Sequence, residues 1–341
     1  MTKGPVHISV FGKTDLGRSR DHNEDTFLVA DLSTGKASLQ PDVREHVLGP
    51  RGSLFMVADG MGGAAAGELA SAMAAEVICR HLVNVWRNDP DASAERFAFR
   101  MKEAVELANA ELYTYAREHP EVRGMGTTVT AAGVHGADLY LTQIGDSRGY
   151  LVRDGHASQL TRDQSLTQRL VDAGELTEEE AEHSERRNII LQALGPDANV
   201  KVDLSHQPLR RGDVLVICSD GLSGLVRREE IGDMVQRHHD LAEVCGRLID
   251  LANERGGPDN ITVIAARFEG EGLAESNGEG DVGYRTFPLD DPEPEVAPAA
   301  AVREPLIPGV VTATGPGLRP AAIALVAIGL VVIALLLALV L

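Results

Sequence analysis

The chain has 341 residues, of which 43% are hydrophobic, and this is enough apolar material to bury a real core. A formal net charge of -19 argues against wrapping nucleic acid or docking on anionic lipid through the folded part. Three cysteines, Cys79, Cys218 and Cys245, lie far apart in apolar runs. They are typical neither of a disulfide framework nor of a thiolate metal site, and they favour a reducing compartment.

Hydrophobic periodicity predicts strands and helices along one body, from about residue 7 to residue 268. In chain order these are strands Phe27–Ala30 and Leu54–Ala58, helices Ala64–Val85 and Ala92–Arg117, strands Thr127–Gly133, Leu139–Ile144 and Val214–Ser219, a helical pair between Arg228 and Glu254, and strand Ile261–Phe268. Strands predominate around helix pairs that are adjacent in sequence. We therefore expect stacked sheets with the helices outside, which is an α+β layered domain.

Two segments of different composition follow the body. Residues 271–320 hold eight prolines and nine acidic residues, and their apolar side chains are too scattered for a helix or a strand, which predicts a Pro-rich acidic linker. Residues 321–341 have no polar side chain. As a helix they would extend about 32 Å, close to the thickness of the hydrocarbon layer, and a buried globular helix of this length should show a polar stripe. We therefore predict a C-terminal transmembrane helix.

The first residues of the chain indicate on which side of the membrane the body is expected to lie. Residues 1–10 show no charged segment followed by an apolar run, so a cleaved signal peptide is not expected. Together with the free cysteines, this predicts a single-pass protein of the cell membrane whose body lies in the cytoplasm.

Acidic residues recur beside glycine at the ends of predicted strands. They are Asp59 before Gly60, Asp220 before Gly221, Asp146 after Gly145, Asp259 before the last strand, and Glu24 and Asp25 before the first. A single Asp-Gly pair is more typical of a turn. Several carboxylates gathered at strand ends would repel each other unless a cation lay among them. Because the candidate ligands are all oxygens, the pattern predicts magnesium or manganese before zinc, and Gly60 allows its carbonyl to approach the metal.

Six motifs occur in a characteristic order. They are Arg20-Asp21-His22-Asn23-Glu24-Asp25, Val57-Ala58-Asp59-Gly60-Met61-Gly62-Gly63, Gly126-Thr127-Thr128, Gly145-Asp146-Ser147-Arg148, Ser219-Asp220-Gly221-Leu222 and Asp259-Asn260-Ile261-Thr262. Together they resemble the signature series of the metal-dependent protein serine/threonine phosphatases, the PPM-type or type 2C family, in its bacterial form. The resemblance implies that residues 1–270 form a four-layer αββα sandwich, in which two antiparallel sheets are flanked by helix pairs.

The resemblance also implies a set of metal ligands, namely Glu24, Asp59, the Gly60 carbonyl, Asp146, Asp220 and Asp259. Asp59 would bridge two manganese or magnesium ions, with Glu24 and Gly60 completing one site and Asp220 and Asp259 the other. Asp146 with Asp220 would form a third, weaker site.

Four further expectations come from the same resemblance. Arg20 would bind the substrate phosphate, since a guanidinium holds two oxygens at once, and Asp25 would orient the attacking water. Met61 stands where many eukaryotic relatives have a histidine, and a thioether cannot donate a proton to the leaving group. Residues 163–194 resemble the flap subdomain of bacterial members, beside the active site.

The resemblance implies hydrolysis of phosphoserine and phosphothreonine on proteins, with phosphorylated proteins and a serine/threonine kinase as partners. Two alternatives stay open: a non-catalytic phosphoprotein-binding module of the same fold, and a two-metal hydrolase of nucleotides or nucleic acid. A binding module has no need of the full ligand set, which argues against the first. The acidic balance and the lack of a basic groove argue against the second.

Overall fold

A computed structural model of the chain describes residues 4–38, 44–276 and 282–289. The strands in these ranges are His7–Asp15 (β1), Asp25–Asp31 (β2), Lys36–Ser38 (β3), Arg44–Val47 (β4), Ser53–Met61 (β5), Gly126–Thr127 (β6), Val129–His135 (β7), Asp138–Ile144 (β8), Arg148–Arg153 (β9), His156–Gln159 (β10), Asp203–Pro208 (β11), Val214–Cys218 (β12) and Ile261–Glu269 (β13). The α-helices are Ala64–Asn84 (α1), Ala94–Glu118 (α2), Leu166–Asp172 (α3), Glu178–Glu182 (α4), Asp220–Ser223 (α5), Arg228–Arg237 (α6) and Leu241–Glu254 (α7).

The strands form two antiparallel sheets that pack face to face. One has the order β10-β9-β12-β13-β1-β4, and the other has the order β11-β8-β7-β5-β2-β3, with β6 paired to the end of β5. Alternate side chains of both sheets meet in a shared core, in which Phe55 of one sheet lies against Phe268 of the other with ring centroids 6.4 Å apart. This is the stacked-sheet arrangement that the sequence predicts.

Helices cover the outer faces of both sheets. α1 and α2 pack on each other, with α1 against β2 and β5 and α2 against β7 and β8. On the other side, α6 and α7 share an apolar cluster with β9, β12 and β13. The sequence explains where α2 begins, because the Ser93 hydroxyl accepts a hydrogen bond from the Arg96 N–H. The predicted α+β fold of two antiparallel sheets with flanking helix pairs is confirmed.

Some boundaries differ from those expected. The strand predicted over Thr127–Gly133 is split into β6 and β7, because Thr128 turns its N–H to the Asp59 carbonyl at 2.8 Å. The linker predicted from residue 271 does not begin there. Leu273 is buried in the core, and Thr286 pairs with Ser205 of β11, so residues 271–276 and 282–289 pack against the body.

The predicted transmembrane helix, residues 321–341, and most of the predicted linker lie outside the described residues. Among the helices within the described ranges, none combines the length and the apolar character that crossing a bilayer requires.

Candidate metal centre

The predicted acidic residues come from strand ends of both sheets. Asp25 opens β2 and lies directly opposite Asp59 in β5. Asp220 follows β12 and opens α5, and Asp259 lies just before β13. Because β12 pairs with β13, and Ser219 donates its hydroxyl to Asp25 Oδ2 at 2.8 Å across the two sheets, these strand ends meet at one edge of the sandwich.

The carboxyl groups of the cluster are buried, and their charges raise one another's pKa. Burial is the main cause that raises the pKa of Asp25 to about 7, and the charges of Asp220 and Asp259 add to it. Burial and the neighbouring charge of Asp220 raise the pKa of Asp146 to about 8. Burial also raises the pKa of Asp59 and Asp220, and Asp59 is further raised by four surrounding aspartates. The group therefore holds negative charge only at a cost, which a bound cation would remove.

Two oxygens of this cluster have no partner. Oδ1 of Asp25 and Oδ1 of Asp220 are buried and accept no hydrogen bond. Within the described residues, no group of three or more His, Cys, Asp or Glu side chains lies close enough together to hold a metal ion as it stands. Unpartnered carboxylate oxygens and an all-oxygen donor set fit a hard divalent cation such as Mn²⁺ or Mg²⁺.

Glycines make room for the Glu24 side chain and backbone. A Cβ on Gly60 would lie 2.1 Å from the Gly67 carbonyl oxygen and 2.6 Å from that of Glu24. A Cβ on Gly67 would lie 1.9 Å from Glu24 Oε2, so the carboxylate rests on the first turn of α1. The close contacts of Gly60 are with the backbone of Gly67 and Glu24, and its carbonyl stays a predicted metal ligand. Gly67 was not predicted, and its only signal is a glycine inside the first turn of a helix.

Asp59 is held by its backbone. Its N–H donates to Thr128 Oγ1 at 3.1 Å, and its carbonyl accepts from the Thr127 hydroxyl at 2.9 Å. Thr128 Oγ1 in turn lies 2.8 Å from Ser147 Oγ, next to Asp146. The Gly-Thr-Thr motif thus fixes the end of β5, and Ser147 links that end to the turn that carries Asp146.

Arg20 lies at the edge of the acidic cluster. Its Nη2 is 2.8 Å from Asp259 Oδ2, and the two side chains are 47% and 35% exposed. The hydrogen bond that Arg20 donates to Asp259 is the main cause that raises the pKa of Arg20, so the guanidinium is fully charged. Arg20 thus pairs with a predicted metal ligand and keeps part of its guanidinium open to solvent.

Asn260 was not predicted as a site residue, yet it organises the loop that carries Arg20 and Glu24. The side chain is buried, and its Oδ1 accepts the Glu24 N–H at 2.8 Å. Its Nδ2 donates to the carbonyls of Leu16 and His22 at 3.1 and 2.9 Å. Three hydrogen bonds from one amide therefore span residues 16–24. Its position after Asp259 is the one signal in the sequence.

The model of the family described as "Protein phosphatase 2C" matches residues 37–262. The chain belongs to the protein phosphatase 2C family. It is 36% identical over 253 residues to the serine/threonine phosphatase stp of Listeria welshimeri, which covers 74% of this chain and 92% of that protein.

Solved structures agree with this assignment. The crystal structure of the Mycobacterium tuberculosis serine/threonine phosphatase PstP/Ppp matches with a TM-score of 0.64 and 36% identity, over 77% of this chain and 99% of that one. A structure of the catalytic domain of PstP in complex with two manganese ions matches with a TM-score of 0.62 and 35% identity, over the same shares of the two chains.

In this phosphatase, residues 163–194, predicted as the flap, contain α3 and α4. Both ends of the segment are attached beside the acidic cluster. At the start, the Gln164 N–H donates to the Gly145 carbonyl at 2.8 Å, and at the end Leu194 exchanges two backbone hydrogen bonds with Thr127. Arg148 clamps Asp163 with Nη2 2.7 Å from Oδ2. The segment thus leaves and rejoins the body next to Asp146 and to β6.

Met61 ends β5 and pairs with Gly126. Its thioether has no proton to give, so in this phosphatase the group that protonates the leaving oxygen is not the side chain after Gly60.

Proposed function

We propose that this metal-dependent serine/threonine phosphatase removes phosphate from phosphoserine and phosphothreonine of proteins, using manganese or magnesium at the acidic cluster. The observation that carries the proposal is the pair of unpartnered buried oxygens, on Asp25 and Asp220, beside the half-exposed guanidinium of Arg20. The buried carboxylates lack a positive partner, which a metal ion would supply. The guanidinium of Arg20 supplies positive charge for a phosphate group. The PstP structure with two manganese ions supports the choice of metal.

We assign the ligands as the sequence predicts them: Glu24, Asp59, Gly60, Asp220 and Asp259, with Asp146 beside Asp220 for a third, weaker ion. Bound divalent ions would supply a water of lowered pKa and neutralise charge on the phosphoryl oxygens. Asp59 is suited to join two ions, because burial raises its pKa and the charges of aspartates on several sides raise it further.

The other roles fall to residues of the chain itself. Arg20 can bind two phosphate oxygens with its exposed guanidinium, and its ion pair with Asp259 holds it at the cluster. Asp25 accepts the Ser219 hydroxyl with Oδ2, which leaves Oδ1 free to accept a hydrogen bond from the attacking water and orient it. Asn260 holds residues 16–24, which include Arg20. Two buried polar networks, one around Asn260 and one around Asp25, would therefore align the phosphate and the water.

The test is hydrolysis of a phosphothreonine peptide and of p-nitrophenyl phosphate, with manganese or with chelator. We expect turnover only with the metal, and a loss of at least about a hundredfold in Asp59→Asn. Asp250→Asn is the matched control, because Asp250 is exposed on α7, away from the cluster. Near-normal turnover of Asp59→Asn would contradict the ligand assignment.

The same assay separates the two alternatives. A non-catalytic binding module would bind the phosphopeptide without releasing phosphate at any manganese concentration. A nucleotide or nucleic-acid hydrolase would release phosphate or fragments from those substrates in preference to the peptide.

We also propose that residues 321–341 anchor this phosphatase as a single-pass protein with its catalytic body in the cytoplasm. The support is in the sequence, since this segment has no polar side chain and a Pro-rich acidic stretch precedes it. The phosphorylated substrates, and a serine/threonine kinase that produces them, would then lie at or near the membrane.

A further inference from the structure

β11 is the terminal strand of its sheet, and a later part of the chain covers its free edge. The His206 N–H donates to the Arg285 carbonyl at 3.0 Å, and the Phe287 N–H donates to the Leu204 carbonyl at 2.8 Å. Between these bonds Thr286 lies opposite Ser205 in antiparallel register. Residues 282–289, called here the strap, therefore add a short strand to the sheet.

Side chains of the strap contact a groove beside β11. The Phe287 ring lies 5.4 Å from that of Tyr140 and 5.6 Å from that of His206, measured between centroids. The Tyr284 hydroxyl donates to Asp203 Oδ1 at 2.9 Å. The groove thus accepts an aromatic ring at one point and a phenol hydroxyl three residues earlier, on the same extended segment.

Burial shows how closely the strap fits. Leu204, Ser205 and Gln207 of β11 are only 6%, 4% and 3% exposed, although they lie in an edge strand. β4 and β10, the two edge strands of the other sheet, have no buried residue. An edge strand with free N–H and C=O groups is a template for pairing with another chain, and the strap occupies it.

The strap also lies beside the flap. Arg162 pairs with Asp172 of α3, and its charge interacts with Tyr284 and Asp203 as well. The Gln164 and Gln192 amides at the two ends of the flap both donate to the Lys201 carbonyl, just before β11. β11, the strand that the strap binds, therefore directly follows the residue that holds both ends of the flap.

We propose that the β11 edge, with Tyr140, His206 and Asp203, is a peptide-docking groove that the strap occupies as a detachable strand. Strand addition supplies backbone hydrogen bonds, and the aromatic contact supplies selectivity for the strap sequence. No residue of the strap is buried, and Arg285, Thr286 and Pro288 are exposed, so local opening is accessible without unfolding the body. Docking of the strap fixes the point at which the C-terminal segment leaves the body, and it stabilises the flap through β11.

The test is hydrogen exchange in the full chain, comparing Phe287→Ala with Thr286→Ala. Thr286 is exposed and pairs only through its backbone, so its replacement keeps the groove contact. We expect β11 and α3 to exchange about tenfold faster in Phe287→Ala, with β5 unchanged, and Thr286→Ala to match the native chain. Unchanged exchange of β11 in Phe287→Ala would overturn the proposal.

A second measurement guards against general loosening of the fold. A fluorescent peptide of residues 282–289 should bind the Phe287→Ala chain and bind the native chain much more weakly, because the native groove is occupied. A peptide with alanine in place of Phe287 should bind neither. Tyr284→Phe, which loses one hydrogen bond and keeps the ring, should give intermediate peptide binding. Equal binding of the peptide to native and Phe287→Ala chains would refute a groove occupied by the strap.

Discussion

At the level of single residues, burial and neighbouring charge make ionisation of the acidic cluster unfavourable. Burial raises the pKa of Asp146 to about 8, whereas its ordinary value is 3.8. An acid whose pKa is raised by folding contributes its full stability below pH 4 and loses it as the pH rises toward 8. The metal-free fold is therefore expected to become less stable across this range.

This predicts that Asp146→Asn stabilises the metal-free chain at pH 8. We expect a midpoint of thermal unfolding several degrees above that of the native chain in chelator, and little difference at pH 4, where the native carboxyl is protonated in the fold. Thermal unfolding at the two pH values measures this, with Asp250→Asn as control. A difference that is equal at both pH values would rule out the charge of Asp146 as the cause.

Arg20 gives a second prediction at this scale. If its guanidinium holds phosphate equally before and during the reaction, Arg20→Ala should raise KM for a phosphopeptide more than it lowers kcat. Arg20→Lys should recover only part of the binding, since an ammonium does not form the two parallel bonds of a guanidinium. A fall in kcat with unchanged KM would mean that Arg20 acts on the transferring phosphoryl group, and unchanged kinetics would remove it from the site.

At the level of elements, the site depends on how closely α1 approaches β5 and Glu24. Gly67 is the contact point, because a Cβ there would lie 1.9 Å from Glu24 Oε2, whereas a Cβ on Gly246 of α7 meets no atom within 4 Å. Both glycines are helical, so they make a matched pair.

We predict opposite results for the two alanine replacements. Gly67→Ala should displace the Glu24 carboxylate and raise the manganese concentration needed for half-maximal activity by about tenfold or more. Gly246→Ala should leave that concentration unchanged and stabilise the fold by about 0.5–1 kcal/mol, because alanine is the better helix former. Manganese titrations of activity and thermal unfolding of both proteins measure this. A normal manganese requirement in Gly67→Ala would show that Glu24 does not need this contact.

Sequence predicts elements well where periodicity is strong and poorly where burial depends on distant segments. The helices α1 and α2 and the central strands β5 and β8 have one clear apolar pattern each, and all are found. β11, with the sequence Asp-Leu-Ser-His-Gln-Pro, was missed because its polar residues are buried by contacts with distant segments, such as that of Ser205 with the Leu160 carbonyl.

The site follows the same rule. The acidic residues can be predicted from the sequence because each stands in a strand-end motif next to glycine or asparagine. The sequence does not predict the contributions of Asn260, Gly67 and Ser219, because each acts through a contact with a residue far away in the chain. A side-chain amide that joins residues 16–24 to residue 260 leaves no periodic trace in the sequence.

At the level of the whole molecule, docking of the strap shortens the predicted linker. The predicted linker of 50 residues, 271–320, is shortened to residues 290–320 while the strap is docked. If residues 321–341 anchor the phosphatase, a docked strap leaves fewer residues between the folded body and the anchor, and this limits the region that the active site can reach.

If residues 321–341 anchor the phosphatase, we expect them to contribute location and not chemistry, because every residue assigned to the metal centre lies between Arg20 and Asn260. Truncation before Ala321 should release a soluble enzyme with unchanged kinetics on a phosphothreonine peptide and weaker action on membrane-bound phosphoproteins. Fractionation of cells that express the full and truncated chains measures the location, and protease added to intact spheroplasts reports the side. Digestion of the body from outside would contradict a cytoplasmic position. A truncated chain that folds yet fails on the peptide would show that the C-terminal segment takes part in catalysis.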